Sequence, residues 1–315
     1  MAGVTPVTLL AGFAGSSKTT LLERTLADPR YADTAVVLDP GARAPSGAAT
    51  VARASGESIF AAGACTCCRM TTDLVRALRE LHVARMEDRV AKFSRVVVEL
   101  GGFARPSSAL AALNELPVVA SRFAAAGVAT VVDARSAVEA LAMHREARIQ
   151  VAVADRLVIR GGEGLSTGER AVLEARLARL NPWATRLSDN GDPAGWLAFA
   201  GPWGGTLAEI TTQDGDIRAM AWRPPEPLPW SRVETALKSL VAQLGAKLLR
   251  ASGLVAVAGE PGPRAVHAAG HALYPSARLP EWPAGHRATA LVLVTEGLDS
   301  TDFARILTLL PSPSR

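Results

Sequence analysis

The 315-residue chain has three cysteines, and all fall between positions 65 and 68: Cys65-Thr66-Cys67-Cys68, preceded by Gly63-Ala64 and followed by Arg69. Three thiolates this close supply most of a tetrahedral shell for Zn²⁺ or a similar thiophilic divalent metal. A neighbouring arginine lowers thiol pKa values and favours the thiolate form that binds metal. A disulfide framework would spread its cysteines and use an even number of them. The cluster therefore points to a thiol site in a reducing compartment. The fourth ligand must come from elsewhere: Asp39 is one candidate, with His82, His144 and water as others. The competing reading is three buried structural cysteines.

A second constellation is Gly12-Phe13-Ala14-Gly15-Ser16-Ser17-Lys18-Thr19-Thr20, which fits G-x-x-x-x-G-K-[ST] at all but one position. Phosphate chemistry explains the pattern. Backbone N–H groups of a glycine-rich turn point inward at the positive end of the following helix and cradle phosphates. Lys18 would reach the β/γ-phosphates and the Thr19 hydroxyl would bind Mg²⁺. The departure is Ser17, where the pattern has glycine; a side chain there restricts the backbone at its closest approach to phosphate. Farther on, Glu99 ends the run Arg95-Val96-Val97-Val98-Glu99. An acid at such a strand tip can hold a Mg²⁺-bound water, and Gly102 can offer its N–H to a γ-phosphate. Gly12, Gly15, Ser16, Ser17, Lys18, Thr19, Thr20 and Gly102 are thus the expected nucleotide contacts, with Lys18 and Glu99 as the catalytic pair.

These groups need elements to position them. Residues 7–11 form a short apolar run ahead of Gly12, and a helical stretch follows over 18–26, giving strand, glycine turn, helix. Residues 34–38, 95–100, 128–133 and 156–159 are further buried-strand candidates. Residues 40–57, rich in Gly, Ala, Ser and Pro, read as a loop. Leu74, Leu78 and Leu81 lie on one face of a helix over 71–86. Ser166 and Glu169 form a capping box ahead of a helix reaching 180. Strands alternating with helices predict an α/β domain over 1–200, a parallel sheet covered by helices on both faces. Residues 201–216 read as a linker. A smaller α+β domain follows over 217–315, with strands near 217–222, 254–258 and 291–294. Its helices are expected from a second capping box at Ser231 and Glu234, and over 300–309. His267 and His271 fall in a strand-and-turn segment and are taken as core or solvated histidines.

Bulk composition removes several function classes. Lys and Arg number 34 against 30 Asp and Glu, a net +4 spread along the chain with no basic block or basic–aromatic stripe, so nucleic-acid binding is not expected. No apolar run approaches the ~18 residues of a membrane helix, and the N-terminal segment has no basic start or cleavage site. The expectation is a cytoplasmic protein that binds neither nucleic acid nor membrane.

The order of these motifs resembles the CobW family of P-loop GTPases, a group related to the nickel-insertase accessory GTPases. The phosphate loop comes first, then C-x-C-C at Cys65, Cys67 and Cys68, then Glu99-Leu100-Gly101-Gly102 continuing to Ala104-Arg105-Pro106. Thr130-Val131-Val132-Asp133-Ala134 and residues 151–157 follow in family order. In the second half, residues 248–253 and Gly297-Leu298-Asp299 are similar to the family's C-terminal domain. The resemblance implies GTP with Mg²⁺ as cofactor and a bound metal, with zinc expected. It also implies a client metalloprotein and a switch in which GTP hydrolysis gates metal delivery. It places Glu163, within Arg160-Gly161-Gly162-Glu163, where the family's guanine-reading N/T-K-x-D motif lies, although the lysine that covers the base is missing. Asp39-Pro40-Gly41-Ala42-Arg43 replaces an acidic switch segment, and Leu100-Gly101 replaces a hydroxyl pair. Three functions fit: a GTP-gated metal chaperone or insertase, a hydrolysis-deficient metal-binding scaffold, and a P-loop enzyme using another nucleotide.

Overall fold

The computed structural model describes residues 4–38, 44–48, 50–53, 66–115, 117–192, 195–197, 211–283 and 288–311. The chain divides into two compact units, the first made of Met1–Leu177 with Ala184–Phe199 and the second of Ala178–Trp183 with Ala200–Arg315. Among the described residues no helix is long and apolar enough to cross a membrane.

The first unit is an α/β layer structure. Its elements run β1 (Thr5–Gly12), α1 (Lys18–Leu26), β2 (Thr34–Leu38), β3 (Thr50–Arg53), α2 (Thr66–Met86), β4 (Arg95–Glu99), α3 (Pro106–Glu115) and α4 (Pro117–Ala120). They continue with β5 (Phe123–Asp133), α5 (Ala137–Met143), α6 (Arg145–Ala152), β6 (Arg156–Arg160), α7 (Thr167–Leu180) and β7 (Thr185–Ser188). The seven described strands order as β3-β2-β4-β1-β5-β6-β7, and every pairing is parallel. Both faces of such a sheet are covered, so its strands are near-continuous apolar runs. β2 is buried at all five positions, as are Val7, Leu9, Leu10 and Ala11 of β1. Leu21, Leu22 and Leu26 of α1 pack with Leu10, Val36, Leu38, Val97 and Trp196. The Trp196 indole N–H donates to Thr25 Oγ1 at 2.8 Å, which ties α1 to the 3₁₀ turn Gly195–Leu197.

The second unit holds β8 (Thr211–Asp214), β9 (Ile217–Trp222), α8 (Trp230–Leu244), β10 (Leu248–Val255), β11 (Arg264–Ala269), β12 (Ala272–Leu273), β13 (Ala277–Arg278), β14 (Ala290–Glu296) and α9 (Ser300–Leu307). Its strands pair antiparallel in the order β12-β11-β10-β14-β9-β8, with β13 on β11. Val233, Leu237, Leu240 and Val241 of α8 and Phe303 and Ile306 of α9 bury against Leu248, Ala251, Val266, Leu291 and Leu293.

Three expectations are corrected here. The 40–57 segment is not wholly loop, because Thr50–Arg53 adds β3 to the sheet edge beside β2. The stretch expected as linker over 201–216 contains β8, paired with β9 through a two-residue turn at Gly215-Asp216. Gly215 takes φ 60° there, as the first central position of a primed hairpin turn requires. The second capping box does not form. Pro229 occupies the N-cap with no side-chain bond, and Glu234 instead pairs with Lys238 one turn on, at 2.7 Å. The first capping box is present: Ser166 N–H donates to Glu169 Oε2 at 2.8 Å and Glu169 N–H to Ser166 Oγ at 3.3 Å.

Candidate functional site

β1 and β4 are neighbours in register, with Leu10 opposite Glu99. Their C-terminal ends therefore deliver the glycine turn and the acid to one place, the crevice where open α/β sheets bind ligands. The turn closes through Ser16 N–H on the Phe13 carbonyl at 3.1 Å. Gly12 has φ 153°, and a Cβ there would lie 2.5 Å from Ser16 Oγ and 2.8 Å from the Val131 carbonyl, so only glycine fits. Gly15 has φ 82°. Ser17 adopts φ 61°, ψ 40° with no capping bond from its side chain; this left-handed conformation costs a non-glycine residue roughly 1–2 kcal/mol. The irregularity seen in the sequence is thus a strained backbone position.

Lys18 opens α1, is 9% exposed, and donates through Nζ to the Gly12 carbonyl at 2.8 Å. A cation held across the mouth of the glycine turn is placed to meet phosphate oxygens. The Thr19 hydroxyl donates to Glu99 Oε1 at 2.7 Å, and Glu99 is 5% exposed. Hydroxyl and carboxylate, 80 residues apart in the chain, are the oxygen donors that Mg²⁺ and its water prefer. Gly102 lies directly against the phosphate loop: a Cβ there would be 2.7 Å from the Ala14 backbone nitrogen. The structure thus gathers Gly12, Gly15, Ser16, Ser17, Lys18, Thr19, Glu99 and Gly102. Thr20 is exposed on the first turn of α1.

Sequence reasoning missed Gln150. Fully buried in α6, it donates through Nε2 to the Gly102 and Ala104 carbonyls at 3.0 and 2.9 Å. It also missed the surroundings of the segment after β6, where the base-reading motif is expected. Glu163, on the short turn Gly162–Gly164, accepts a hydrogen bond from Asn190 Nδ2. That bond, supported by Arg170 and Arg135, holds the exposed carboxyl below the usual carboxylate range. Glu163 is therefore ionised near neutrality. The Arg135 guanidinium lies beside Gly161 and Gly164, 3.7 and 3.9 Å from where their Cβ atoms would be, and Arg160 pairs with Asp189 at 3.6 Å.

Of the thiol cluster, Cys65 and Asp39 lie outside the described residues. Cys67 and Cys68 fall in the first turn of α2, their side chains and that of Arg69 likewise outside the description. His82 is corrected as a fourth ligand. It sits on the same helix fourteen residues beyond Cys68, about 21 Å along the axis at 1.5 Å per residue. It is turned inward instead, with burial and then the charges of Arg122 and Arg85 pushing its pKa down, edge-on to Phe123 at 6.4 Å. His144 stacks on Phe13, ring centroids 4.5 Å apart. Among the described residues no group of three His, Cys, Asp or Glu side chains is placed to hold a metal.

A parallel sheet whose first strand ends in a glycine turn, with a buried lysine and a threonine hydroxyl set on an acid-tipped neighbouring strand, defines a P-loop NTPase fold. Comparison with known proteins specifies the family. The family model "CobW/HypB/UreG, nucleotide-binding domain" matches residues 6–187, and that for the cobalamin synthesis protein cobW C-terminal domain matches residues 217–309. The chain belongs to the CobW family. It is similar to the zinc chaperone YjiA of Escherichia coli strain K12, 28% identical over 267 residues that span 81% of this chain and 83% of that one. In fold it is similar to the crystal structure of the Zn(II)-bound YjiA GTPase from E. coli, at TM-score 0.69 and 21% identity over 98% of this chain and 99% of that one. A Zn(II)-bound triple mutant of YjiA, with one glutamate and two cysteines replaced by alanine, gives TM-score 0.71 at 22% identity over the same shares.

Proposed function

We propose that this protein is a GTP-binding metal chaperone or insertase in which nucleotide state gates release of a zinc-like ion to a client metalloprotein. The observation that carries this reading is the 2.7 Å bond between the Thr19 hydroxyl and the buried Glu99 carboxylate, beside Lys18 at the mouth of the glycine turn. A buried carboxylate is costly unless its partners compensate, and one partner here is the hydroxyl that a P-loop offers to Mg²⁺. Thr19 and Glu99 would hold Mg²⁺ and its water, Lys18 would neutralise the β/γ-phosphates, and the Gly102 N–H would meet the γ-phosphate. When bound, the nucleotide and Mg²⁺ supply a phosphoanhydride and a Lewis acid. Glu163, kept ionised, has the chemistry to accept from the guanine N1–H and amino group. Arg135, beside the same turn, offers a planar cation in place of the absent lysine. Metal, as cargo, would be taken by Cys65, Cys67 and Cys68, the last two at the start of α2; the zinc chaperone relative supports that choice.

A second reading, a metal-binding scaffold without turnover, draws support from the strained Ser17 and from Arg160-Gly161-Gly162-Glu163. Titration with GDP, GTP and ATP in Mg²⁺, run beside zinc titration, separates the readings. The proposal expects guanine nucleotides to bind at least about tenfold more tightly than ATP, a gap of ~1.4 kcal/mol. Zinc binding with no nucleotide binding establishes the scaffold, and an ATP preference establishes a different P-loop enzyme.

A further inference from the structure

Gln150 is fully buried, yet its amide serves a loop 48 residues away in the chain. Nε2 has two protons and uses both there, on the carbonyls of Gly102 and Ala104 at 3.0 and 2.9 Å. These carbonyls flank Phe103, which is 60% exposed and meets Phe13 of the phosphate loop edge-on, centroids 5.1 Å apart. The grip therefore sets the segment whose glycine lies against Ala14. Packing alone does not call for glutamine: Ile149, Val151 and Ala152 beside it are all buried apolar residues, and an amide in such a run is costly unless it is hydrogen-bonded.

Gln150 Oε1 and Ser16 Oγ are buried and have no hydrogen-bond partner among the described residues. Both residues line one cavity of about 30 Å³ shared with Thr130 and Asp133 of β5. The Thr130 hydroxyl donates to the Gln150 backbone carbonyl at 2.8 Å, so this turn of α6 is itself anchored to the sheet.

We propose that Gln150 is a positioning residue. It holds the 101–104 loop, and with it Gly102, against Ala14 of the phosphate loop, so that phosphate occupancy and the place of Gly102 are linked. The inference rests on the nucleotide reading above and adds the device that would let the loop sense a γ-phosphate. GDP would touch the phosphate loop alone, whereas a triphosphate would also need Gly102, so losing the grip should affect the two nucleotides differently.

The test compares the full chain with Gln150→Met, which keeps length but not hydrogen bonding. Gln150→Leu, an apolar side chain suited to the buried run of Ile149, Val151 and Ala152, carries the same comparison if the Met variant does not fold. In nucleotide-free protein, hydrogen–deuterium exchange of residues 101–105 should quicken about tenfold while β1 and β5 stay unchanged. In Mg²⁺, the ratio of GTPγS to GDP affinity should fall about tenfold, with GDP affinity kept within about threefold, as expected for a lost hydrogen bond to one state only. Equal loss of both affinities, or faster exchange spread over the whole unit, assigns Gln150 a folding role only and overturns the proposal. If the parent binds no nucleotide, the functional reading fails, and the exchange result alone decides whether Gln150 positions the loop.

Discussion

Ser17→Gly tests the phosphate loop at its one irregular position. Ser17 holds φ 61° and ψ 40°, where a Cβ crowds the backbone at a cost of roughly 1–2 kcal/mol. Glycine removes that cost. Against it stands the extra freedom glycine gives the unfolded chain, roughly 0.4–1 kcal/mol. The lost side-chain contact matters little, because Ser17 Oγ reaches the Gly15 carbonyl only at 3.4 Å, beyond a strong hydrogen bond. The balance is a stabilisation between nothing and about 1.5 kcal/mol, using the two preceding terms. For a unit of this size that raises Tm by about 0–5 °C. Ser17→Val moves the other way, since a branched Cβ is a genuine outlier at positive φ, and should lower Tm by about 3 °C or more. Scanning calorimetry of the three proteins gives the answer, and mant-GDP titration should show Ser17→Gly binding at least as tightly as the parent. A Tm loss above about 3 °C for Ser17→Gly, or an unchanged Tm for Ser17→Val, would refute the assignment of strain to this residue.

Other outcomes follow from the same geometry. Lys18→Ala should weaken GDP binding about 100-fold, from the loss of two or so charge-assisted hydrogen bonds; a loss under tenfold contradicts its placement. Gly102→Ala sets a methyl 2.7 Å from the Ala14 backbone and should abolish the preference for GTPγS over GDP, which competition binding would measure. Changing Cys67 and Cys68 together to Ser should remove about one zinc per chain, because oxygen is a poor substitute for thiolate; stoichiometric zinc by mass spectrometry or chelator assay would defeat the assignment. A chain ending at Pro202 should fold and bind the same nucleotide. One ending at Asn190 loses Trp196, 1% exposed and bonded to Thr25, and should be destabilised by about 3–5 kcal/mol.

Legibility in the sequence followed how local each signal was. β1, β2 and β4 were readable because strands buried on both faces are continuous apolar runs bounded by glycine or charge. The phosphate loop and α1 were readable because their residues are contiguous, and Glu99 because a strand tip marks it. β3 was hidden: four residues at a sheet edge, set in Gly, Ala and Ser, show neither periodicity nor a long apolar run. β8 was hidden by a glycine-rich surrounding, although Asp214-Gly215 ahead of an apolar strand is a hairpin signal. Ser231 and Glu234 have capping-box spacing, but Pro229 starts the helix earlier and puts Ser231 inside it. Gln150 could not be found from spacing at all. Its partners are 46 and 48 residues away, and inside an apolar helix it belongs to no motif; the one available hint was an amide among buried neighbours. His82 was a plausible ligand by residue type, and helix geometry removed it.

Under the proposed function, nucleotide state gates metal release. The most direct measurement is the zinc affinity of the full chain, by chelator competition in Mg²⁺ buffer, with GDP and then with GTPγS saturating. A gate implies a coupling free energy between the two sites, ordinarily ~1–3 kcal/mol, hence a shift of about 5- to 150-fold in zinc affinity between the two nucleotide states. The expected result is a shift in that range that disappears in Lys18→Ala. The same zinc affinity with GDP, with GTPγS and with neither would contradict it.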